Sequence, residues 1–149
     1  MIETSVRISS DQSTSSLSLV DLTGLSFSVS AQSLYVFEFY MMFSIAVGST
    51  FPVWGMAVPA FSVFSAKVTT RVSVADQAFG GLGFGWLTSS GDSTSGGATS
   101  LTLARIYLAT IKGEIFPTAN GTAQVQFAST SGSDITVKAN TCGLLQRGY

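Results

Sequence analysis

Eight carboxylates, a single thiol and no histidine set the limits of what chemistry this chain can do. The acids are Glu3, Asp11, Asp21, Glu38, Asp76, Asp92, Glu114 and Asp134. Without an imidazole there is no Ser/His/Asp triad, and no serine sits in a GxSxG elbow. Cys142, in Asn140-Thr141-Cys142-Gly143-Leu144, lacks the partner that would make it a nucleophile and reads as a small packing residue. It cannot form an internal disulfide, and no Cys/His cluster is present to hold zinc. Glycoside hydrolysis needs only two carboxyl groups about 5 to 9 Å apart. Here, however, each acid stands alone in the sequence, and most of the aspartates lie beside turn residues, where Asp caps or hydrogen-bonds locally. Glu38 is the exception, set between Phe37 and Phe39 in the most hydrophobic segment. Buried there, it would need Arg105, Arg71 or Lys67 as a partner, and a salt bridge within or between chains is the expected role. The sequence therefore predicts a non-enzymatic protein with no metal and no cofactor.

Three other motifs invite chemistry and have simpler readings. Gly80-Gly81-Leu82-Gly83-Phe84-Gly85 fails GxGxxG, lacks GK[ST] and lies in a strand pattern, so it reads as packing. Asn120-Gly121-Thr122 fits a glycosylation sequon, but Asn-Gly also suits the positive φ angles of a type I′ turn, which is the expectation. Trp54, Trp86 and Tyr149 could stack on sugars, and in so apolar a chain they fit interface anchors better.

These residues must be positioned by a chain of 149 residues, 46% apolar and only 10% charged. Soluble domains carry roughly 25% charged residues. Seven basic and eight acidic side chains leave a net charge of −1, which excludes direct nucleic-acid binding through a basic surface. Leu34–Val47, the longest apolar run, carries Glu38 and Ser44 and is too short to cross a bilayer as a helix. The first residues lack the layout of a secretory signal, so synthesis in the cytosol and no membrane partner are expected.

Period-2 alternation defines the elements. Leu25, Phe27 and Val29 oppose three serines; Ala123, Val125 and Phe127 oppose Thr122, Gln124 and Gln126; Ile135 and Val137 oppose Thr136 and Lys138. Ser129–Ser133 between the last two runs has turn composition and predicts a hairpin. Leu34–Ala46 and Leu101–Phe116 are apolar on both faces, which predicts that another chain supplies the second covering. Phe51–Pro59, with its two prolines, predicts an edge strand or extended loop. Valine and threonine favour a strand over Ser65–Ala75. In Ala78–Leu87, Gly81, Gly83 and Gly85 share one face, leaving Leu82, Phe84 and Trp86 on the other. Ser89–Ser100 reads as a mobile hairpin tip. No segment has helical period. The expected fold is all-β: an antiparallel β-sandwich or jelly roll over residues 17–149, preceded by a polar arm, 1–16, that docks on a neighbour.

Asp11-Gln12-Ser13-Thr14-Ser15-Ser16, then Leu19–Phe27 and Tyr35-Val36-Phe37-Glu38-Phe39, together resemble the opening of a recurrent structural domain of tailed-bacteriophage virions. The close is similar too, in Ala109–Ile115, Asn120–Ser129 and Ile135–Thr141, while the middle, 54–100, departs from the pattern. The resemblance implies a trimeric β-sandwich or TNF-like jelly roll found in tail-fibre ends and in head decoration (cement) proteins. With only a short polar arm ahead of the domain, it implies a decoration protein on the capsid exterior, partnered by itself and the major capsid protein. The alternative it implies is a tail-fibre or tailspike receptor-binding domain that contacts host glycans through Trp54, Trp86 or the tip near Asp92. The candidate oligomer and capsid interface comprises Tyr35, Phe37, Phe39, Trp54, Phe84, Trp86 and Tyr107.

Overall fold

The alternation read from the sequence becomes twelve strands in the computed structural model, which describes residues 2–71, 83–95, 101 and 105–148. In chain order they are β1 (Ile2–Arg7), β2 (Gln12–Thr14), β3 (Val20–Val29), β4 (Tyr35–Ile45), β5 (Pro52–Ala57) and β6 (Phe61–Arg71). β7 (Gly83–Leu87), β8 (Ser93–Thr94), β9 (Tyr107–Pro117), β10 (Gly121–Ser129), β11 (Ile135–Val137) and β12 (Cys142–Arg147) follow. One sheet runs β3-β10-β5-β8 and the other contains β4-β9-β6-β7, with every pairing antiparallel. Eight successive strands divided in that way form a jelly roll. β12 and β11 add to the free edge of β4, and β1 and β2 pair with them in turn, so the large sheet has eight strands.

Each sheet turns its apolar positions inward. Leu25, Phe27 and Val29 from β3, and Ala123, Val125 and Phe127 from β10, meet Phe37, Phe39, Met41 and Phe43 from β4 and Ile111 and Ile115 from β9. Aromatic rings fasten one sheet to the other: Phe27 lies 5.2 Å from Phe39, and Trp54 lies 5.4 Å from Phe43 in an edge contact. Burying such side chains is worth roughly 1.5–3 kcal/mol each. Tyr35, Phe37, Phe39, Trp54 and Tyr107 are all within this core. In that position these five of the seven expected interface residues hold the chain's own sheets together. Phe84 and Trp86 stay exposed.

Two local expectations change. Ser129–Ser133 does not close a hairpin, because β10 lies in the small sheet and β11 in the large one. The segment crosses the edge of the sandwich, held by Ser129 Oγ–H donating to Ser133 O (2.6 Å). Asn120 and Gly121 are not at positive φ; Asn120 Oδ1 instead accepts the Ala31 N–H at 2.8 Å and ties the β9–β10 corner to the β3–β4 corner. On the outward side of β4, Glu38, Tyr40, Met42 and Ser44 are half-buried and Val36 is exposed. Of the glycine strip, Gly85 faces Thr94 of β8 so closely that a Cβ there would lie 2.7 Å from the Thr94 Cβ. Gly81 and Leu82, like residues 72–80, 96–100 and 102–104, lie outside the described residues.

Residues 2–14 pair within their own chain. Between β1 and β2, the Asp11 carboxylate accepts the Ala139 N–H at 2.8 Å and meets the Lys138 ammonium at 3.2 Å. The Ala139 N–H, with Lys138 behind it, holds the Asp11 carboxyl below its ordinary 3.8. A depressed carboxyl contributes stability that is present above 3.8 and lost as pH falls through the lower folded value. Amide exchange at Ala139 is therefore expected to accelerate as pH drops below about 4, beyond the intrinsic pH dependence. Asp11→Ala should show fast exchange at neutral pH already, and equal protection in both proteins would remove the role given to this contact.

Candidate functional site

The face of the large sheet turned away from the core carries the chain's concentration of exposed charge and aromatic surface. Its composition follows from register. Trp86 stands opposite Lys67, Lys67 opposite Lys112, Lys112 opposite Glu38 and Glu38 opposite Leu144, making one row across β7, β6, β9, β4 and β12. The row on one side reads Phe84, Thr69, Thr110, Tyr40 and Cys142. On the other side lie Ser65, Glu114, Val36 and Gln146. All these side chains project outward because their neighbours in sequence (Ala66, Val68, Phe37, Phe39, Ile111 and Leu145) fill the core.

Two concavities adjoin on this face. The larger, about 570 Å³, has Trp86, Val36 and Leu144 on its walls and Glu38, Glu114, Lys67, Lys112, Ser65 and Gln146 among its polar lining. The smaller, about 290 Å³, is lined by Lys67, Thr69, Arg71, Phe84, Thr110 and Lys112. The first volume lies within the roughly 300–1,000 Å³ range of small-molecule sites.

The electrostatics are uneven. Lys112 forms an ion pair with Glu38 and leans on Tyr40, its Nζ 3.4 Å from the phenol oxygen and 5.3 Å from the ring centroid. Glu38 thus finds a cation, as its sequence setting requires, but the partner is Lys112 directly across the strand pair rather than Arg105, Arg71 or Lys67. Its side chain is 29% exposed, so the pair is a surface feature and not a buried one. Lys67 Nζ sits 4.4 Å from the centroid of Phe84, a cation–π contact. Among the described residues, neither Lys67 nor Arg71 has a carboxylate partner.

The loop tip expected to contact glycans is organised for its own closure. The Asp92 carboxylate accepts the N–H of Thr88 (2.9 Å) and of Ser89 (2.8 Å) and the Thr88 hydroxyl (3.2 Å). The Thr88 N–H, above all, holds its carboxyl below the ordinary range. Cys142 is a free, half-buried thiol on the outer face. Among the described residues no group of three or more His, Cys, Asp or Glu converges as a metal site, and no helix is long and apolar enough to cross a membrane.

Sequence reasoning singled out Phe84 and Trp86 but missed Lys67, Arg71, Lys112 and Glu114 as their neighbours. The cations occupy the outward phase of their strands, Lys67 and Arg71 alternating with Val68 and Thr70. Which strands lie side by side, however, is set by the jelly-roll winding and not by local pattern.

No family model matches the chain, and no curated protein sequence matches it. Among solved structures it is similar to chains of infectious bursal disease virus. The Gt strain structure shares 11% identity over 98% of this chain and 37% of that one, with a TM-score of 0.29. A VP2 subviral particle shares 12% over 97% and 36%, with a TM-score of 0.26, and the Gx strain structure 11% over 98% and 40%, at 0.29. This chain thus spans less than half the length of those chains.

Proposed function

We propose that this chain is a homotrimeric, non-enzymatic virion protein of a tailed bacteriophage, which decorates the capsid exterior and stabilises the head by bridging major capsid protein subunits. The observation that carries this reading is the apolar content left over once the core is complete. The jelly roll encloses its own aromatic interior, yet Val36, Val63, Phe84 and Trp86 of the large sheet remain exposed, as do Leu17, Val47 and Ile106. A chain with 10% charged residues has little with which to solvate them. Neighbouring subunits covering about 1,000 Å² or more would remove that surface from water. The resemblance of residues 11–16, 19–27 and 35–39, and of 109–115, 120–129 and 135–141, to phage virion domains supports this particular assembly.

Light scattering on the purified protein is expected to give a trimer of about 46 kDa, three times the 15.5 kDa chain. Co-sedimentation with empty phage heads is expected as well. A monomer that stays in solution at high concentration and fails to pellet with heads would sink the proposal.

A second reading, a tail-fibre or tailspike domain contacting host glycans, has its own support. Phe84 and Trp86, of which 58% and 56% is exposed, stand beside the basic concavity. Glycan binding without affinity for heads would favour it.

A further inference from the structure

We infer that the paired concavities on the outer face of β7, β6 and β9 bind an acidic saccharide. Its anionic group would sit among Lys67, Arg71 and Lys112, and its sugar ring against Trp86. The inference deepens the glycan reading above and does not depend on whether the chain sits on head or tail.

The basic end argues for an anion. Lys67 and Lys112 are directly opposite each other in the β6–β9 register, an arrangement of like charges that destabilises a strand pair. Arg71 joins them in the smaller concavity, and among the described residues no carboxylate lines it. Three of the seven basic residues of the chain meet there, and among the described residues a single carboxylate, Glu38, is paired with one of them. The Thr69 and Thr110 hydroxyls in the same wall can donate to an oxyanion. Phe84 holds the Lys67 ammonium in place from the side, so the charge is positioned before a ligand arrives.

The adjoining end argues for a hydroxylated body on that anion. Glu114 and Glu38 accept hydrogen bonds and cannot donate them when ionised, so a ligand resting there must bring donors. Sugar hydroxyls do so. The phosphodiester backbone of a nucleic acid does not, and it would meet carboxylates in a chain of net charge −1. Trp86 offers an exposed indole in the wall of the larger concavity, a surface that suits the C–H face of a pyranose ring, and Val36 and Leu144 add apolar lining further across the same sheet face.

The test titrates the intact protein with a sulfated heparin tetrasaccharide, a hyaluronan tetrasaccharide and uncharged cellotetraose, read by tryptophan emission and calorimetry. The chain has two tryptophans and Trp54 is buried, so a binding-linked change in emission reports Trp86. Saturable binding of at least one acidic probe is expected, weakening as salt rises, with cellotetraose at least about tenfold weaker. Trp86→Ala and Lys67→Gln should each weaken the acidic probe about tenfold or more, both at exposed positions that leave the Trp54 emission of the fold unchanged. Absence of saturable binding to both acidic probes overturns the inference, as does equal affinity for the uncharged one or indifference to both substitutions. Sedimentation showing that Trp86→Ala disperses an oligomer the wild type forms would also overturn it, assigning the trough to another copy of the chain. Head co-sedimentation measured alongside separates the two proposals: a protein that pellets with heads but binds no saccharide loses this inference and keeps the decoration role.

Discussion

Trp54→Ala is expected to destabilise the domain by about 3–5 kcal/mol, whereas Trp54→Phe should stay within about 1 kcal/mol of the wild type. The indole is fully buried between the two sheets, edge-on to Phe43 at 5.4 Å and stacked with Phe127 at 6.5 Å. Truncation to alanine removes that contact area and leaves a cavity that facing strands, locked by their hydrogen bonds, cannot close. The indole also carries a penalty, since its Nε1–H finds no acceptor among the described residues. A buried donor left unmade costs about 1–3 kcal/mol. Phenylalanine keeps most of the ring contact and discards that donor, so the loss of area and the relief of the orphan oppose each other. Urea unfolding followed by far-UV circular dichroism would measure both variants, with a constant slope showing that midpoints report stability. Equal costs for the two substitutions would mean that the ring's packing is not what holds the sheets together here. The pair of variants also separates core from surface: Trp54→Phe should leave saccharide and head binding as they are, because the residue lies wholly inside the sandwich.

What was legible in the sequence is face, and what was not is neighbour. Leu25, Phe27 and Val29 alternate with serines, and the structure buries those three and turns the serines outward. The same holds for Ala123, Val125 and Phe127, since a pleated strand gives no other way to hide every second residue. Alternation is silent about hydrogen-bond partners. Ser129–Ser133 has turn composition whether it closes a hairpin or crosses between sheets, and only the winding of the jelly roll decides for the crossing. Phe37, Phe39 and Trp54 lie in segments that are greasy on both sides or broken by proline, a pattern that does not say which side the chain covers for itself. The inward side belongs to the chain's own core, while the outward side of β4 is half-buried, with Val36 exposed. The candidate site suffers most from this blindness. Glu38 and Lys112 are 74 positions apart, and Lys67 and Trp86 are separated by residues outside the described structure, so their convergence depends on three strand pairings at once. At Gly24, where the alternation of β3 breaks, φ is +84° and the strand bulges against β10. There the Gln124 amide donates to the Leu22 carbonyl at 2.8 Å, a repair that no local pattern announces.

Those pairings converge on Gly113, and Gly113→Ala is expected to cost about 3 kcal/mol, the upper end of the usual overpacking range, lowering the melting temperature by roughly 10 °C. Gly113 lies in β9 between Phe37 of β4 and Ala66 of β6. A Cβ there would come within 2.3 Å of the Ser65 carbonyl oxygen and 2.7 Å of the Ala66 Cα. Both are backbone atoms of the adjoining strand, so no rotamer change can make room and β6 must move away from β9. Gly48→Ala is the matched control, since its nearest neighbour would be 3.6 Å away and its φ is not positive. It should be neutral or stabilising by a few tenths of a kcal/mol through the unfolded chain. The consequence reaches the outer face, because the β6–β9 register at Gly113 is continuous with the next pair, Lys67 and Lys112. If β6 shifts, the two ammonium groups part, and acidic-saccharide affinity should fall together with stability even though Gly113 contributes no charge. A Gly113→Ala protein melting within about 2 °C of the wild type would show that β6 and β9 tolerate local separation. The strict opposition of Lys67 and Lys112, on which the anion site depends, would then have no structural enforcement.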